Sequence, residues 1–283
     1  MHEARPRPNP YGDAMKRCVF INLDSATDRR RQIEDSFART TPAGWSLERF
    51  AALAPHDVSD VPGSLTPAEK ACFASHRQAI GAHLDDDDHL FVAEDDAVFS
   101  PQTFALVDQL LARQSWDVFF TDVALCDLGL MVLLAKRRDE MIARGEYMTI
   151  DLRERSFFGA TAYVVGGGAK RALHAALTAQ TELNQPYDLM LRDLCRRGAM
   201  RMAACFPFVT TVAEHADTSQ IQGVEHAFFD QTLNAYRRLM YADRDLETCR
   251  RDAERLAARS GEVSSMVGTI FAAIASPSFQ LDR

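Results

Sequence analysis

Three adjacent carboxylates, Glu94, Asp95 and Asp96, stand in the middle of the chain directly after the apolar run Leu90–Ala93. Carboxylates this close repel one another unless a cation lies among them. Mg²⁺ and Mn²⁺ prefer oxygen ligands of this kind and bridge readily to substrate phosphates. The pattern therefore indicates a metal and phosphate site, with a solvated acidic turn after a strand as the alternative.

A second group of candidate residues closes the first apolar run of the chain, which ends at Asn22-Leu23-Asp24. Ser25 or Thr27 is placed to cap the helix that follows, and a polar turn from a strand into a helix is a natural place for a nucleotide. Arg29 begins a run of three arginines whose side chains suit phosphates. The alternative interpretation of these arginines is a solvated helix face.

The segment Thr66-Pro67-Ala68-Glu69 predicts the start of a helix, because it combines a capping threonine, a proline at the first helical position and the glutamate of a capping box. Cys72, His76 and Ile80 then recur at four-residue spacing and share one face of that helix. His76 is therefore expected to face the interior or a cleft. It is either a hydrogen-bonded core histidine or, within the polar run Ser75-His76-Arg77, part of the lining of a site.

Two later residues are candidates on less specific patterns. Asp188 falls in the first turn of a helix that Pro186 begins, where the helix dipole, at about 0.3–1 kcal/mol, would explain an aspartate without catalysis. His215 is a lone histidine in the polar segment 214–220. The glycines at 166–168 do not match a phosphate-binding P-loop and are interpreted as a turn into a helix.

The elements that must position these residues alternate between strand and helix patterns. Apolar runs at 17–23, 47–52, 90–93, 116–120 and 158–165 predict strands, and helical patterns follow most of them. This order predicts an α/β fold with a mostly parallel central sheet that carries the acidic and polar residues at its strand ends. Residues 124–150 show no clean period and are interpreted as a mobile or substrate-facing excursion.

Composition and charge exclude several classes of protein. The chain of 283 residues carries a net charge of −8, which argues against nucleic acid as a partner. No apolar run approaches the roughly 18 residues that a spanning helix needs, so no transmembrane segment is expected. Residues 1–15 lack the apolar core of a signal peptide and are expected to be a disordered tail, which favours a cytoplasmic location. The six scattered cysteines form neither a zinc pattern nor a disulfide framework, and several are interpreted as small buried apolar residues.

The end of the chain is expected to be helical. Its strongest apolar stripe, between Val263 and Ile274, is too short to cross a membrane. Packing against the domain is the leading interpretation of this stripe, and a dimer contact or peripheral association with a membrane surface are the alternatives. The oligomeric state is left open.

The order of these motifs resembles glycosyltransferase family 25, which includes bacterial lipooligosaccharide galactosyltransferases and the collagen galactosyltransferases. The resemblance spans residues 17 to 222. It is carried by the following segments: Val19-Phe20-Ile21-Asn22-Leu23-Asp24 with Asp28-Arg29-Arg30, Leu65-Thr66-Pro67-Ala68-Glu69 with Cys72-Phe73-Ala74-Ser75-His76-Arg77, Glu94-Asp95-Asp96, Gly159-Ala160-Thr161-Ala162-Tyr163 with Gly168-Ala169-Lys170, and Pro186-Tyr187-Asp188-Leu189-Met190-Leu191.

This resemblance implies a GT-A type fold, a Rossmann-like α/β domain that binds a nucleotide sugar, over residues 16–235. Residues 236–283 would form a helical C-terminal extension. The implied activity is the transfer of a hexose, commonly galactose from UDP-galactose, to a hydroxyl of a glycan acceptor such as lipooligosaccharide or another cell-surface polysaccharide, with inversion at the anomeric carbon. The implied cofactor is Mn²⁺ or Mg²⁺, and the implied location is the cytoplasm or the inner face of its membrane.

The resemblance also implies roles for individual residues. Asp96 would ligate the metal ion, with His215 completing its coordination sphere, and Asp188 would be the catalytic base. The remaining candidates would bind the nucleotide sugar: Asn22, Leu23, Asp24, Arg29, Ser75, His76, Arg77, Glu94 and Asp95. Glu94 and Asp95 would hold either its ribose or the metal.

Two other functions compete with this one. The same fold without turnover would give a sugar-nucleotide-binding or scaffold protein. The second competing hypothesis is a nucleotidyltransferase, which would release pyrophosphate from a nucleoside triphosphate.

Overall fold

The computed structural model describes residues 16–40, 44–218 and 227–258. In chain order the strands are β1 (Lys16–Asn22), β2 (Trp45–Ala51), β3 (Leu90–Glu94), β4 (Ala97–Phe99), β5 (Val118–Phe120), β6 (Ala124–Leu125), β7 (Met148–Asp151), β8 (Phe157–Phe158), β9 (Ala162–Val165), β10 (Met202–Phe206) and β11 (Thr210–Val212). The helices are α1 (Thr27–Arg39), α2 (Pro67–Gly81), α3 (Thr103–Arg113), α4 (Leu128–Arg144), α5 (Lys170–Thr178), α6 (Tyr187–Arg196), α7 (Ala227–Met240) and α8 (Leu246–Ala257).

A seven-stranded sheet in the order β2-β1-β3-β9-β5-β10-β7 forms the centre of the fold. Strand β1 pairs in parallel with β2 and β3, and β5 pairs in parallel with β10. Strand β9 runs antiparallel between β3 and β5, and β7 is antiparallel at the edge. The mixed α/β fold with a mostly parallel sheet, predicted from the order of apolar runs, is confirmed.

Both faces of the sheet are covered. Along β3, Leu90 and Val92 belong to one apolar core, and Phe91 and Ala93 belong to the core on the other side. All four are essentially inaccessible to solvent. Side chains alternate between the faces of a strand, so a strand with cores on both sides shows a continuous apolar run rather than an alternating one.

Helix α2 begins as its sequence predicts. Thr66 Oγ1 accepts a hydrogen bond from the Glu69 N–H at 3.3 Å, and the Glu69 carboxylate accepts one from the Thr66 N–H at 2.9 Å. The predicted cap of α1 is wrong, because Ala26 occupies the cap position and neither Ser25 nor Thr27 caps the helix. The first turn of α1 therefore has no side-chain cap among the described residues.

The interpretation of residues 124–150 as a mobile or substrate-facing excursion is wrong. This segment contains β6, the long helix α4 and β7. Asp127 caps α4 by accepting a hydrogen bond from the Leu130 N–H at 2.9 Å, and Gly145 ends it with a left-handed φ of 64°. Buried Met131 and Leu134 attach the helix to the main core. Exposed Leu128 and Leu133 and buried Arg138 interrupt its amphipathic pattern, which obscured the helical period in the sequence.

Helices α7 and α8 pack on each other, and α7 also contacts α4, β6 and β11. Helix α7 runs continuously across positions 235 and 236, between which the sequence analysis placed the boundary of a C-terminal extension. The predicted tail at residues 1–15 and the apolar stripe at 263–274 lie outside the described residues. Within the described part of the chain, none of the helices has the length and apolar character needed to traverse a bilayer.

Candidate active site

A cleft of about 490 Å³ opens at the C-terminal end of β3. Its walls come from the start of α2, the turn between β8 and β9, the start of α6, and α7. The polar and charged residues that line it are Glu69, Cys72, Glu94, Asp96, Thr161, Asp188, Asp230, Asn234 and Arg237. The structure thus brings three predicted site carboxylates, Glu94, Asp96 and Asp188, into one cavity, although 92 positions separate Asp96 from Asp188 in the sequence.

Asp96 has the least compensated carboxylate of the acidic triplet. Its Oδ1 atom is buried and has no hydrogen-bond partner among the described residues. Burial, together with repulsion from Glu94 and Asp95, raises the pKa of Asp96 to about 8, although Arg237 opposes the shift. An oxygen ligand in a negative, poorly solvated position fits a hard divalent cation, because the cation would replace the missing partner and offset the repulsion.

Glu94 is held by a chain of buried polar groups. Its Oε1 lies 3.1 Å from His76 Nε2, and His76 Nδ1 lies 2.9 Å from the Tyr163 hydroxyl. That hydroxyl is 2.6 Å from the hydroxyl of Tyr187, whose ring stacks on His76 at a centroid distance of 4.2 Å. Burial would raise the pKa of Glu94, but the His76 hydrogen bond and charge, together with Arg237 and Arg29, lower it overall. His76 therefore faces the interior, as its spacing on α2 predicts.

Asp95 points away from Glu94 and Asp96, toward the turn between β1 and α1. Its carboxylate accepts a 2.7 Å hydrogen bond from the Asn22 amide and lies 3.2 Å from the Arg29 guanidinium. Arg49 on β2 donates to the Asn22 side-chain oxygen at 3.0 Å and so orients the amide. Burial raises the pKa of Asp95 despite the Asn22 and Arg29 contacts. Asn22 and Arg29 thus lie together at the Asp95 carboxylate. Their expected role in binding the nucleotide sugar stays a prediction.

His215 lies beside Asp95 rather than in the cleft that contains Asp96. It lines a second, smaller cleft of about 250 Å³ together with Asp95 and residues of α1. Burial and the charge of Arg29 lower the pKa of His215. The joint metal-ligand role expected for Asp96 and His215 stays a prediction.

Asp188 stands in the first turn of α6, as predicted. One carboxylate oxygen accepts the Gly159 N–H at 2.8 Å, and the other accepts the Leu189 N–H at 2.8 Å. Burial raises the pKa of the carboxyl group, and these two N–H groups partly offset the rise. The side chain is thus fixed at the cleft wall by donors from two elements, rather than by the helix dipole alone.

Four of the predicted nucleotide-sugar residues have other surroundings. The Ser75 hydroxyl accepts from the Leu53 N–H at 2.9 Å and donates to the Ala71 carbonyl at 2.7 Å, so it holds the chain after β2. Asp24 is exposed and pairs with Arg49 at 2.5 Å. The Leu23 carbonyl accepts from the Ala26 N–H at 3.0 Å, which shapes the turn. Arg77 lines neither of the two clefts described above.

Residues of α7 in the cleft were not anticipated. Arg237 is buried and donates to Asp122, a fully buried aspartate just beyond β5, with Nε 2.8 Å and Nη2 2.5 Å from Oδ2. The other Asp122 oxygen accepts from the Thr210 hydroxyl at 3.0 Å. A separation of 115 residues between Arg237 and Asp122 leaves no local sequence pattern that predicts the pair.

Cys72 was also not anticipated as a residue of the cleft. It lies on the His76 face of α2, as the spacing predicts, but it is half-buried at the cavity wall rather than in the core. Burial raises the pKa of its thiol well above the usual range, and the carboxylates of Glu94, Asp188 and Asp96 raise it further.

The chain matches a known protein family. A search of curated proteins finds no relative. The family model described as glycosyltransferase family 25 (LPS biosynthesis protein) matches residues 15–191, more than half of the chain. The matched segment contains the acidic triplet, His76 and Asp188 and ends within α6, so His215 and α7 lie beyond it. The match confirms the resemblance drawn from the motif order, and the chain belongs to glycosyltransferase family 25.

Proposed function

We propose that this protein transfers a hexose from a UDP-sugar to a hydroxyl group of a glycan acceptor, with inversion and with a divalent cation as cofactor. Galactose is the sugar that the family resemblance favours. The observation that carries the proposal is the arrangement of two carboxylates in one cleft. Asp96 has an unpartnered buried oxygen there, and Asp188 is fixed on the wall of the same cavity.

Asp96 is the residue that would hold the Mn²⁺ or Mg²⁺ ion. When bound, such an ion supplies charge neutralisation for the departing nucleoside diphosphate. His76 keeps the neighbouring Glu94 in a fixed orientation, so the acidic wall of the cleft keeps its shape without the ion.

The turn between β1 and α1 is the proposed nucleotide side of the site. Asn22 and Arg29 converge on Asp95 there, and the first turn of α1 lacks a side-chain cap among the described residues. Uncapped N–H groups at a helix start, next to a guanidinium group, favour an anionic ligand. A ligand that spans from this turn to Asp96 would place its sugar in the larger cleft, where Asp188 lies.

Asp188 is the proposed general base. Inverting transfer needs a carboxylate to take the proton of the acceptor hydroxyl on the face opposite the leaving group. Each of the Asp188 oxygens accepts a backbone N–H, and a carboxylate oxygen has a further lone pair that the acceptor hydroxyl can use. Because burial raises the pKa of this group, the carboxylate is a stronger base than an exposed aspartate.

An aromatic pair at the rim of the cleft supports a glycan as the acceptor. Phe158 and Phe229 stack with centroids 5.6 Å apart, and both line the cavity that contains Asp188. Phe229 is 52% exposed, so its ring offers an apolar face to a bound molecule. Apolar C–H faces of a sugar ring pack well on such a surface, whereas the polar groups deeper in the cleft suit its hydroxyls.

Binding of UDP with Mn²⁺ tests the donor half of the proposal. UDP and Mn²⁺ together should raise the melting temperature, since a ligand at 100 times its Kd stabilises the folded state by about 2.7 kcal/mol. The Asp96→Asn variant should lose this shift, and Asp193→Asn, on the far part of α6, should keep it. A wild-type protein that shows no shift with any UDP-sugar or nucleotide would contradict the proposal.

Release of UDP in the presence of acceptor glycans tests the transfer half. Turnover with at least one glycan of a lipooligosaccharide or capsule panel is expected. A protein that binds UDP-sugars but never releases UDP would instead be a sugar-nucleotide-binding protein with the same fold. The cytoplasmic location stays a prediction.

A further inference from the structure

We propose that Cys72, His76 and Glu94 form a binding site for a thiophilic divalent cation of the Zn²⁺ class, separate from the hard-cation position at Asp96. A sulfur, an imidazole nitrogen and a carboxylate oxygen of these residues all lie within 4.8 Å of one another. Donors in a tetrahedral zinc site lie roughly 3.3–3.5 Å apart, so a small side-chain adjustment around an ion closes the set.

Two of the donors are placed by helix geometry and the third by the sheet. Cys72 and His76 are four residues apart on α2 and therefore project from the same face. Glu94 ends β3, against which α2 packs, and its Oε1 is 3.1 Å from His76 Nε2. The three ligands thus come from two rigid elements, which favours a defined coordination geometry.

The surroundings of His76 suit metal ligation. A metal-binding histidine uses one ring nitrogen for the ion and donates its other N–H to an oxygen. His76 Nδ1 lies 2.9 Å from the Tyr163 hydroxyl, which continues to Tyr187 at 2.6 Å. A bound ion would replace the hydrogen bond between His76 Nε2 and Glu94. With the proton on Nδ1, the Nε2 lone pair and the Glu94 carboxylate would both bind the cation.

The chemistry of the donors separates this site from the one at Asp96. Thiolate and imidazole ligands favour Zn²⁺ and related ions, whereas Mg²⁺ and Mn²⁺ prefer sites made of oxygen. Three protein ligands leave a fourth position open toward the cavity that Cys72 and Glu94 line. The carboxylates of Glu69, Asp96 and Asp188 act on the Cys72 thiol, so the local potential attracts a cation.

Cobalt absorption tests the site on the full-length reduced protein. Co²⁺ added to the metal-free chain should give a thiolate-to-cobalt charge-transfer band in the near ultraviolet, which saturates at one ion per chain. Cys72→Ser, which keeps nearly the same shape, should abolish the band. Cys126→Ser is the matched control, because Cys126 is the other cysteine that is not buried, and it should keep the band. No band in the wild-type protein, or a band that survives in Cys72→Ser, would overturn the site.

Thiol protection provides a measurement that needs no variant. Saturating Zn²⁺ should slow the alkylation of Cys72 at least tenfold, as mapped by mass spectrometry, and leave Cys126 unaffected. Equal alkylation of Cys72 with and without Zn²⁺ would contradict the proposal.

The proposed zinc site can be tested separately from the proposed glycosyl transfer. Asp96→Asn should lose the melting shift with UDP and Mn²⁺ yet keep the cobalt band, because Asp96 is not one of the three donors. A cobalt band that disappears in Asp96→Asn would overturn the proposed donor set. In the wild-type protein, a missing UDP shift with the cobalt band intact would contradict the transferase proposal alone.

Discussion

At the scale of single residues, the acidic triplet has three different environments. Glu94 is paired with His76, and Asp95 with Asn22 and Arg29, whereas Asp96 keeps an unpartnered oxygen. Neighbouring carboxylates whose surroundings differ take different roles, because each environment sets its own proton affinity. Adjacent residues can therefore divide between fixing the wall of the site, holding its nucleotide side and holding a cation.

The role of Asp188 is testable at this scale. Replacing it with asparagine removes the group that accepts the proton but keeps an oxygen for one backbone N–H, so kcat should fall by about 10²–10⁴-fold with donor binding retained. The measurement is UDP release with an acceptor glycan, alongside the melting shift with UDP and Mn²⁺. Asp193→Asn, one turn further along α6, is the control and should keep its activity. Full activity of Asp188→Asn would remove it from the mechanism.

At the scale of elements, α7 forms one wall of the cleft. Its Arg237 reaches across to Asp122 at the end of β5, and Asn234 and Asp230 line the cavity from the same helix. The next residue, Arg238, forms ion pairs with Asp217 at 2.9 Å and with Asp252 of α8 at 2.6 Å. Buried ion pairs therefore hold this helix both to the sheet and to α8.

The buried Arg237–Asp122 pair is expected to contribute to the free energy of unfolding. Arg237→Met leaves a buried aspartate without its cation, which should lower the free energy of unfolding by about 3–5 kcal/mol. Asp122→Asn combined with Arg237→Met removes both charges and should recover most of that loss. Urea denaturation of the three proteins measures the effect, with Arg250→Met on the exposed face of α8 as a control that changes little. A double variant no more stable than the single one would show that the pair is not the cause.

At the scale of the whole molecule, the cleft is assembled from two parts of the chain. The segment matched by the family model supplies the acidic triplet and Asp188, and the later helix α7 supplies the facing wall with Phe229. The donor chemistry proposed here rests on the first part. In the proposed transfer the acceptor would enter against the wall from α7, so this wall is expected to set acceptor choice.

Phe229→Ala tests this division. Loss of an exposed aromatic surface worth about 0.5–1.5 kcal/mol should raise the KM for the acceptor glycan roughly two- to tenfold, with kcat and the melting shift by UDP unchanged. Steady-state kinetics with varied acceptor measures it, and Leu128→Ala, another exposed apolar side chain, is the control. An unchanged acceptor KM, or a lost UDP shift, would contradict the assignment of α7 to the acceptor.

Local sequence patterns predicted much of the fold around the site. The capping box at Thr66 fixed the start of α2, and four-residue spacing placed Cys72 and His76 on one face, as observed. Local sequence patterns gave wrong predictions where the apolar periodicity was interrupted or the capping residue was ambiguous. Helix α4 was missed because two exposed leucines and the buried Arg138 interrupt its amphipathic pattern. The cap of α1 was assigned to Ser25 or Thr27, although Ala26 occupies that position.

The sequence by itself determined that three carboxylates follow a buried strand and that Asp188 begins a helix, because strand periodicity and helix starts depend on residues only a few positions apart. The tertiary structure alone decided which partner each carboxylate meets. It paired Glu94 with His76, directed Asp95 to the turn after β1, left an oxygen of Asp96 without a partner and brought Arg237 to Asp122. These contacts join residues far apart in the chain, and only the packing of helices on the sheet brings them together.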